Sequence, residues 1–286
     1  MILITGATGH LGSNVIRQLL KTISTNQFIA TSSNLRGLQK LEEEGLHARL
    51  ADFSDSETLE KAFIGIDKLL LISTMDQNRF EQHKNVIDAA KSNGVQHIIY
   101  TSLAIKDIQT SGVKDLMISH FQTEDYIKSS GLTYTILRNT IYADALLQIL
   151  GPNATNQDIN LPGGNGKVPY ALRREMGEGI ANLLLQAGHE NKTYNITGSH
   201  SFNFHDIAFE LSKIMSKSIQ YNSIDQESFE LNLKELGWPE FDIYLHAGTI
   251  ADIKNHQYEI ESSILEDLLG RPTASLKEFI TELFTN

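Results

Sequence analysis

Three glycines at three-residue spacing, Gly6, Gly9 and Gly12, stand between the apolar run Ile2-Leu3-Ile4 and an amphipathic run through Leu11, Val15, Leu19 and Leu20. A short buried strand, a glycine turn and a helix in that order leave few folds open. At Gly6 the chain must leave the strand in a tight turn. A side chain at Gly9 would keep a pyrophosphate from the backbone, and a Cβ at Gly12 would push the helix off its strand. The free N–H groups and dipole of the helix then face an anion. Glycines also punctuate ordinary turns, so the triplet carries weight only through the strand before it and the helix after it. Gly6, Thr8, Gly9, His10, Leu11 and Gly12 are the residues expected to line this site.

The pattern that begins there repeats. Strands are predicted over 27–31, 47–51, 68–73, 97–102 and 133–138, and helices over 35–45, 56–63, 80–92 and 116–129. Strands apolar over their whole length, alternating with helices, imply an α/β fold: a Rossmann-type doubly wound parallel sheet covered on both faces. Ligands of such sheets lie beyond the carboxyl ends of the strands, where strand order reverses. That rule nominates Ser33, Arg36, Asp52, Phe53, Ser73, Thr74, Met75, Thr101, Ser102, Asn139 and Tyr142. Beyond Tyr142 the pattern loosens into a proline- and glycine-containing loop over 151–166, helices over 174–186, 204–215, 225–236 and 259–269, and a strand over 193–196. Residues 1–150 therefore read as the nucleotide-binding domain, with 170–198 completing its sheet. Residues 151–286 read as a smaller, mainly helical substrate-binding or capping region.

Composition narrows the partners. Among 286 residues, Lys+Arg 24 against Asp+Glu 35 gives a net charge of -11 with no basic run, so neither nucleic acid nor an anionic membrane is an expected partner. There is no cysteine, hence no disulfide framework, thiolate nucleophile or cysteine metal site. No apolar run reaches the ~18 residues of a membrane span, and the N-terminus enters a strand without a leader pattern. The chain reads as soluble and cytoplasmic.

The segment after the second strand, Thr31-Ser32-Ser33-Asn34-Leu35-Arg36, lacks the carboxylate that accepts the ribose hydroxyls of NAD. Hydroxyls and a guanidinium suit a 2′-phosphate better, which favours NADPH while leaving NADH open. Against this, Arg36 could be a solvated first-turn residue. Asp52 is placed to accept from an adenine amino group with Phe53 covering the ring, or else simply to cap the next helix. His200 and His205 have no metal-binding helix signature, and Ser73, Ser102 and Ser111 lack the glycine-flanked elbow of hydrolases, so neither a metal nor a nucleophilic serine is assigned.

Several ordered motifs together are more specific than the turn. Thr5-Gly6-Ala7-Thr8-Gly9-His10-Leu11-Gly12, Leu69-Leu70-Leu71-Ile72-Ser73, the stretch His83 to Lys91, Tyr100-Thr101-Ser102-Leu103, Leu137-Arg138-Asn139 and the stretch Ala187 to Tyr194 resemble the NmrA-like branch of the atypical short-chain dehydrogenases. Within that branch the chain is most similar to the bacterial type-2 NAD(P)H:quinone oxidoreductases. The resemblance implies NADPH binding and two-electron reduction of a small-molecule quinone by direct hydride transfer. It departs at Ser33, where relatives carry an arginine for the 2′-phosphate, and at Thr140 and Ile141, where they carry Gly and Trp.

Ordinary short-chain dehydrogenases use a tyrosine with a lysine four residues on to exchange a proton with an alcohol or carbonyl. Here His120 and Glu124 hold that spacing, and Tyr126 is followed by Ser130. A quinone needs less help, since the cofactor supplies the chemistry and the protein mainly positions the reactants. His120, with an ordinary pKa of ~6.5, is the candidate proton donor or ring-orienting residue, or merely a helix-face residue. Tyr142 and Met75 are candidate cleft walls, and Asn139 a candidate for nicotinamide-side polar groups. Three functions stay open: a quinone reductase, a non-catalytic NmrA-like redox sensor that binds NAD(P) and acts through a protein partner, and, more weakly, an isomerase or reductase of some other small carbonyl compound. A homodimer is compatible with each.

Overall fold

The computed structural model describes residues 1–285. The chain runs β1 (Ile2–Ile4), α1 (His10–Leu19), β2 (Phe28–Ser32), α2 (Leu35–Glu43), β3 (Ala48–Leu50), α3 (Ser56–Ala62), β4 (Lys68–Leu71), α4 (Arg79–Ser92), β5 (His97–Leu103), α5 (Lys114–Ser130) and β6 (Thr133–Asn139). It continues through α6 (Leu146–Ile149), β7 (Ile159–Leu161), α7 (Arg173–Leu185), β8 (Lys192–Ile196), α8 (Phe204–Met215), β9 (Tyr221–Ser223), α9 (Gln226–Glu235), α10 (Glu240–Lys254), α11 (Ile264–Leu269) and α12 (Leu276–Phe284).

Seven strands form one sheet in the order β3-β2-β1-β4-β5-β6-β8. The register is parallel, with Ile4 opposite Ala30 on one side and Leu70 on the other. The order moves outward from β1 to β3, then returns past β1 to β4. The reversal between β1 and β4 creates the ligand crevice of a doubly wound sheet. The Rossmann-type α/β fold expected from the alternating pattern is the one observed.

The contacts divide the chain into two interleaved units. The first comprises Met1–Leu103, Ile118–Arg138 and Arg173–Tyr194; the second comprises Ala104–Met117, Asn139–Leu172 and the chain from Asn195 onward. In the first unit, Leu3, Ile29, Leu69, Leu71, Ile98 and Tyr100 of the strands pack with Val86, Ile87 and Ile127 of the helices, and with Phe63 at the end of α3, into one buried cluster. Hydroxyls brace the strand ends: Thr5 Oγ1 donates to the Leu70 carbonyl (3.1 Å) and accepts from the Ile72 N–H (2.9 Å). α1 and α7 lie so close that a Cβ at Gly177 would stand 2.6 Å from that of Asn14.

In the second unit, β7 and β9 pair in parallel, with Ile159 opposite Tyr221. Phe204 lies over Tyr221 (5.4 Å between centroids), and Phe279 of α12 meets Tyr170 and Phe202 (6.3 and 6.1 Å). The buried Asp252 carboxylate of α10 accepts from Ser111 Oγ and from the Gly112 N–H (2.7 Å). Gly112 and Gly248 meet there without side chains, since a Cβ on either would enter the other's backbone.

Differences from the sequence reading concentrate in this second unit. The loop expected over 151–166 contains β7, a strand too short to show a period and flanked by loop-forming residues. The helix expected from 259 starts only at Ile264, because Glu259 and Glu261 turn to other partners: Glu259 accepts from the Lys167 N–H (3.0 Å) and Glu261 from the Ser201 N–H (2.9 Å). Helices α10 and α12 carry no prediction; α10 follows Trp238-Pro239 and places a carboxylate among its buried residues. Among the described residues no helix is long and apolar enough to cross a membrane, and no three or more His, Asp or Glu side chains gather as a metal site requires.

Gly177→Val should overpack the α1–α7 contact and lower the unfolding free energy by about 1–3 kcal/mol, read as a reduced urea midpoint at unchanged slope. An unchanged midpoint would mean the two helices are not held at this distance.

Candidate cofactor site

The turn after β1 is built from its glycines. Gly6 sits at φ +60°, a region that L side chains rarely adopt. The Gly9 N–H donates to the Gly6 carbonyl (3.0 Å), and Gly9 is the N-cap of α1 with no side chain capping the helix. The amides of its first turn are therefore left for a ligand. A Cβ at Gly12 would stand 2.2 Å from the Gly6 carbonyl oxygen, so Gly12 lets α1 press on the turn itself rather than on the strand. Thr8, Gly9 and His10 are exposed, while Leu11 and Gly12 are buried and can offer only backbone N–H groups. A cavity of about 540 Å³ opens beside the turn, lined by Thr8, Gly9 and His10 together with Arg17 and Lys40.

At the end of β2, the buried Ser32 Oγ donates to the Asn34 carbonyl (3.0 Å), and Asn34 caps α2 by accepting from the Gly37 N–H (2.9 Å). Gly37 has to be a glycine, because a Cβ there would lie 2.2 Å from Ser32 Oγ. Ser33 and Arg36 are both exposed, and the Arg36 guanidinium forms no hydrogen bond or ion pair among the described residues. Beyond β3, Asp52 accepts from the Ser54 N–H (2.9 Å), whereas α3 is capped by Asp55. Phe53 is turned into the core, edge-on to His83 at 6.2 Å.

On the other side of the reversal, Thr101 Oγ1 accepts from the Ser73 N–H (2.9 Å), and Thr74 Oγ1 donates to Gln82 Oε1 (3.1 Å). Met75 is 58% exposed. Ser102 is committed elsewhere: its hydroxyl donates to Glu124 Oε1 at 2.7 Å. Glu124 also receives a two-pronged contact from Arg138, Nε to Oε1 at 2.9 Å and Nη2 to Oε2 at 2.7 Å. Burial pushes the Glu124 carboxyl up, but hydrogen bonds from Arg138 and Ser102 outweigh it and hold it below its usual range.

His120 does not have the ordinary pKa that made it a proton donor in the sequence reading. It is buried, its Nδ1 lies 2.9 Å from the Tyr100 hydroxyl, and burial together with Arg79 and His83 drives it well below the usual imidazole value. It is therefore neutral at neutral pH, able to orient a neighbour but not to act as an imidazolium acid. His83 behaves alike: buried, 3.2 Å from Thr123 Oγ1, it is lowered to about 3 by burial and by Arg79. Tyr100 stacks edgewise on His83 at 5.4 Å, and burial raises its phenol well above the normal range.

Asn139 and Tyr142 belong to the second unit. Asn139 is buried; its Nδ2 donates to the Tyr142 hydroxyl (3.3 Å), and its Oδ1 has no hydrogen-bond partner among the described residues. The neighbouring Thr140 hydroxyl is likewise buried without one. Sequence reasoning did not find the Ser102–Glu124–Arg138 network, whose members come from three separate elements, or the buried Arg79–His83–Tyr100 group, in which Arg79 and His83 are one turn apart on α4 but Tyr100 comes from β5.

A turn that presents helix amides to an anion, at the reversal of a doubly wound sheet, defines a dinucleotide-binding protein of the short-chain type. The NmrA-like family matches residues 1–277, and the chain belongs to it. Quinone oxidoreductase 2 of Escherichia coli (strain K12) is 36% identical over 286 residues, covering 99% of both chains. The crystal structure of the NADPH-dependent quinone oxidoreductase QOR2 from Escherichia coli complexed with NADPH superposes with a TM-score of 0.92 over 99% of this chain and 100% of that one. Triphenylmethane reductase of Citrobacter sp., in a structure complexed with NADP(H), is 32% identical with a TM-score of 0.91 over 99% of each chain.

The two neutral histidines make stability pH-dependent. Unfolded imidazoles take up protons below about 6.5, while folded His83 refuses them down to about 3. Stability present at neutral pH is thus lost as pH falls, by up to about 1.4 kcal/mol per pH unit for each such histidine. Urea midpoints between pH 7.5 and 5.5, a window in which carboxylates stay ionised, should decline, and His83→Gln should flatten the slope. A midpoint that rises on acidification would contradict neutral burial.

Proposed function

We propose that this protein reduces quinones with NADPH by direct two-electron hydride transfer. The observation that carries the reading is how the tyrosine–lysine spacing of ordinary short-chain dehydrogenases is filled. His120 is neutral and held against Tyr100, and Glu124 is locked by Arg138 and Ser102, so neither is free to protonate an alkoxide. An acceptor that takes hydride without a strong protein acid fits such a site, and a quinone is one. The full-length likeness to the Escherichia coli quinone oxidoreductase points to the same reaction.

The residues present fit the cofactor. The α1 amides and the glycine turn suit the pyrophosphate, and the exposed Arg36 with Ser33 suits a 2′-phosphate. Asp52 remains available to an adenine amino group. Ser73, Thr74, Met75 and Thr101 line the opposite strand ends, where a nicotinamide would lie; Asn139 and Tyr142, in the second unit, are candidate contacts. When bound, NADPH supplies hydride to the quinone, and a proton from solvent completes the hydroquinone. The protein's part is to hold the ring, exclude side reactions and keep His120 uncharged. An NADPH-dependent reductase of this kind would work in the cytoplasm, where reduced cofactor is maintained, and light scattering would test assembly as a homodimer.

Mixing the protein with NADPH and menadione should give quinone-dependent loss of reduced-cofactor absorbance. Tight cofactor binding without such loss would favour the sensor reading instead. Arg36→Ala should raise KM for NADPH roughly tenfold or more, the worth of a charge-assisted hydrogen bond, and leave KM for NADH unchanged. The profile of kcat between pH 6 and 8 should be the same in His120→Asn as in the parent; a step near 6.5 that vanishes with the substitution would restore His120 as a titrating acid.

A further inference from the structure

Arg79 opens α4 and is wholly buried, beside two neutral histidines. A guanidinium in such a place is a poor device for stability. Burial pulls its pKa down, and exchanging a buried charge for a well-packed apolar group is often neutral or stabilising. What the side chain does is geometric. Its Nε donates to the Thr74 carbonyl, Nη1 to Ser119 Oγ at 2.8 Å, and Nη2 to the Met75 sulfur at 3.4 Å.

Those acceptors lie on two different elements. Thr74 and Met75 belong to the loop leaving β4, and Ser119 is the α5 residue just before His120. β4 stands next to β1 on the side of the reversal away from β2 and β3. A dinucleotide with its pyrophosphate on α1 and its adenosine toward β2 therefore turns its nicotinamide toward the β4 loop. The start of the loop is held to β5, where Thr101 Oγ1 accepts from the Ser73 N–H (2.9 Å), and its remainder is knotted locally. Gln82 accepts from Thr74 Oγ1 and donates to Asp76 Oδ2 (3.0 Å), and Asp76 Oδ1 accepts from the Asn78 N–H (2.7 Å). Arg79 is the side chain that carries this knot across to α5.

We propose that Arg79 is a positioning residue for hydride transfer: its guanidinium fork fixes the Thr74–Met75 loop against α5 and so sets the orientation of the nicotinamide ring. The proposal rests on the NADPH-dependent reading above. A planar fork can serve a carbonyl, a hydroxyl and a sulfur at once, whereas a lysine ammonium is a single flexible point charge. The interaction is thus lost in Arg79→Lys although the charge remains. Ser119→Ala removes only the α5 end. Met75→Leu, at an exposed position, removes only the sulfur and stays folded in any case.

The test uses the full chain, with thermal melts by circular dichroism as the folding control. Two quantities are read: the emission spectrum of bound NADPH, which reports how the reduced ring is held, and the single-turnover rate with menadione. Arg79→Lys and Ser119→Ala should bind NADPH with little change in Kd, shift its bound emission, and slow the single turnover about tenfold or more, the cost of a misplaced reactant. Met75→Leu should move both readouts the same way by less. Emission and rate indistinguishable from the parent in all three variants would overturn the proposal. Should the parent bind NADPH but leave menadione unreduced, the quinone reading fails while the emission comparison still decides the role of Arg79.

Discussion

The close approach of Gly12 to the Gly6 carbonyl is the constraint on which the site depends. Because nothing larger than hydrogen fits there, α1 begins directly behind the turn, and its uncapped amides point where β1 ends. The neighbouring strands inherit that geometry: β2 with its Asn34-capped helix on one side, and β4 with its tightly knotted loop on the other. A methyl group at position 12 would disturb more than packing, since it would withdraw the anion-binding end of the helix from the crevice.

The polar residues beneath this surface are unusual in what they do not do. In the helix where the larger superfamily keeps its proton-transfer pair, this chain has spent both positions on internal bonds, His120 to Tyr100 and Glu124 to Arg138 and Ser102. Low local dielectric strengthens these contacts and also suppresses the charged form of the imidazoles. The result is a pair of positions whose hydrogen-bonding capacity is used inside the protein, next to the buried Arg79 guanidinium.

Much of the first unit was legible because its strands are continuously apolar and its helices start at capping residues; Asn34 and Asp55 sit where the helices begin. The glycine spacing located the turn, although the reason for Gly12 proved to be the turn's own carbonyl. What escaped was anything assembled from distant parts. No spacing links Ser102, Glu124 and Arg138, or Arg79 with Ser119, and a histidine's burial is invisible in its neighbours along the chain, which is why His120 was read with an ordinary pKa. In the second unit, β7 is three residues of strand within a loop-like stretch, and α10 buries Asp252 where a periodic reading expects an apolar residue.

The interleaving of the two units has a consequence for how such a protein can change. The chain passes between them at 103–104, 117–118, 138–139, 172–173 and 194–195. No single cut separates a nucleotide-binding piece from the remainder, and neither piece can be traded wholesale for a foreign one. A segment lost or inserted at any one of these crossings therefore disturbs both units at once, so the two persist together as one indivisible thread.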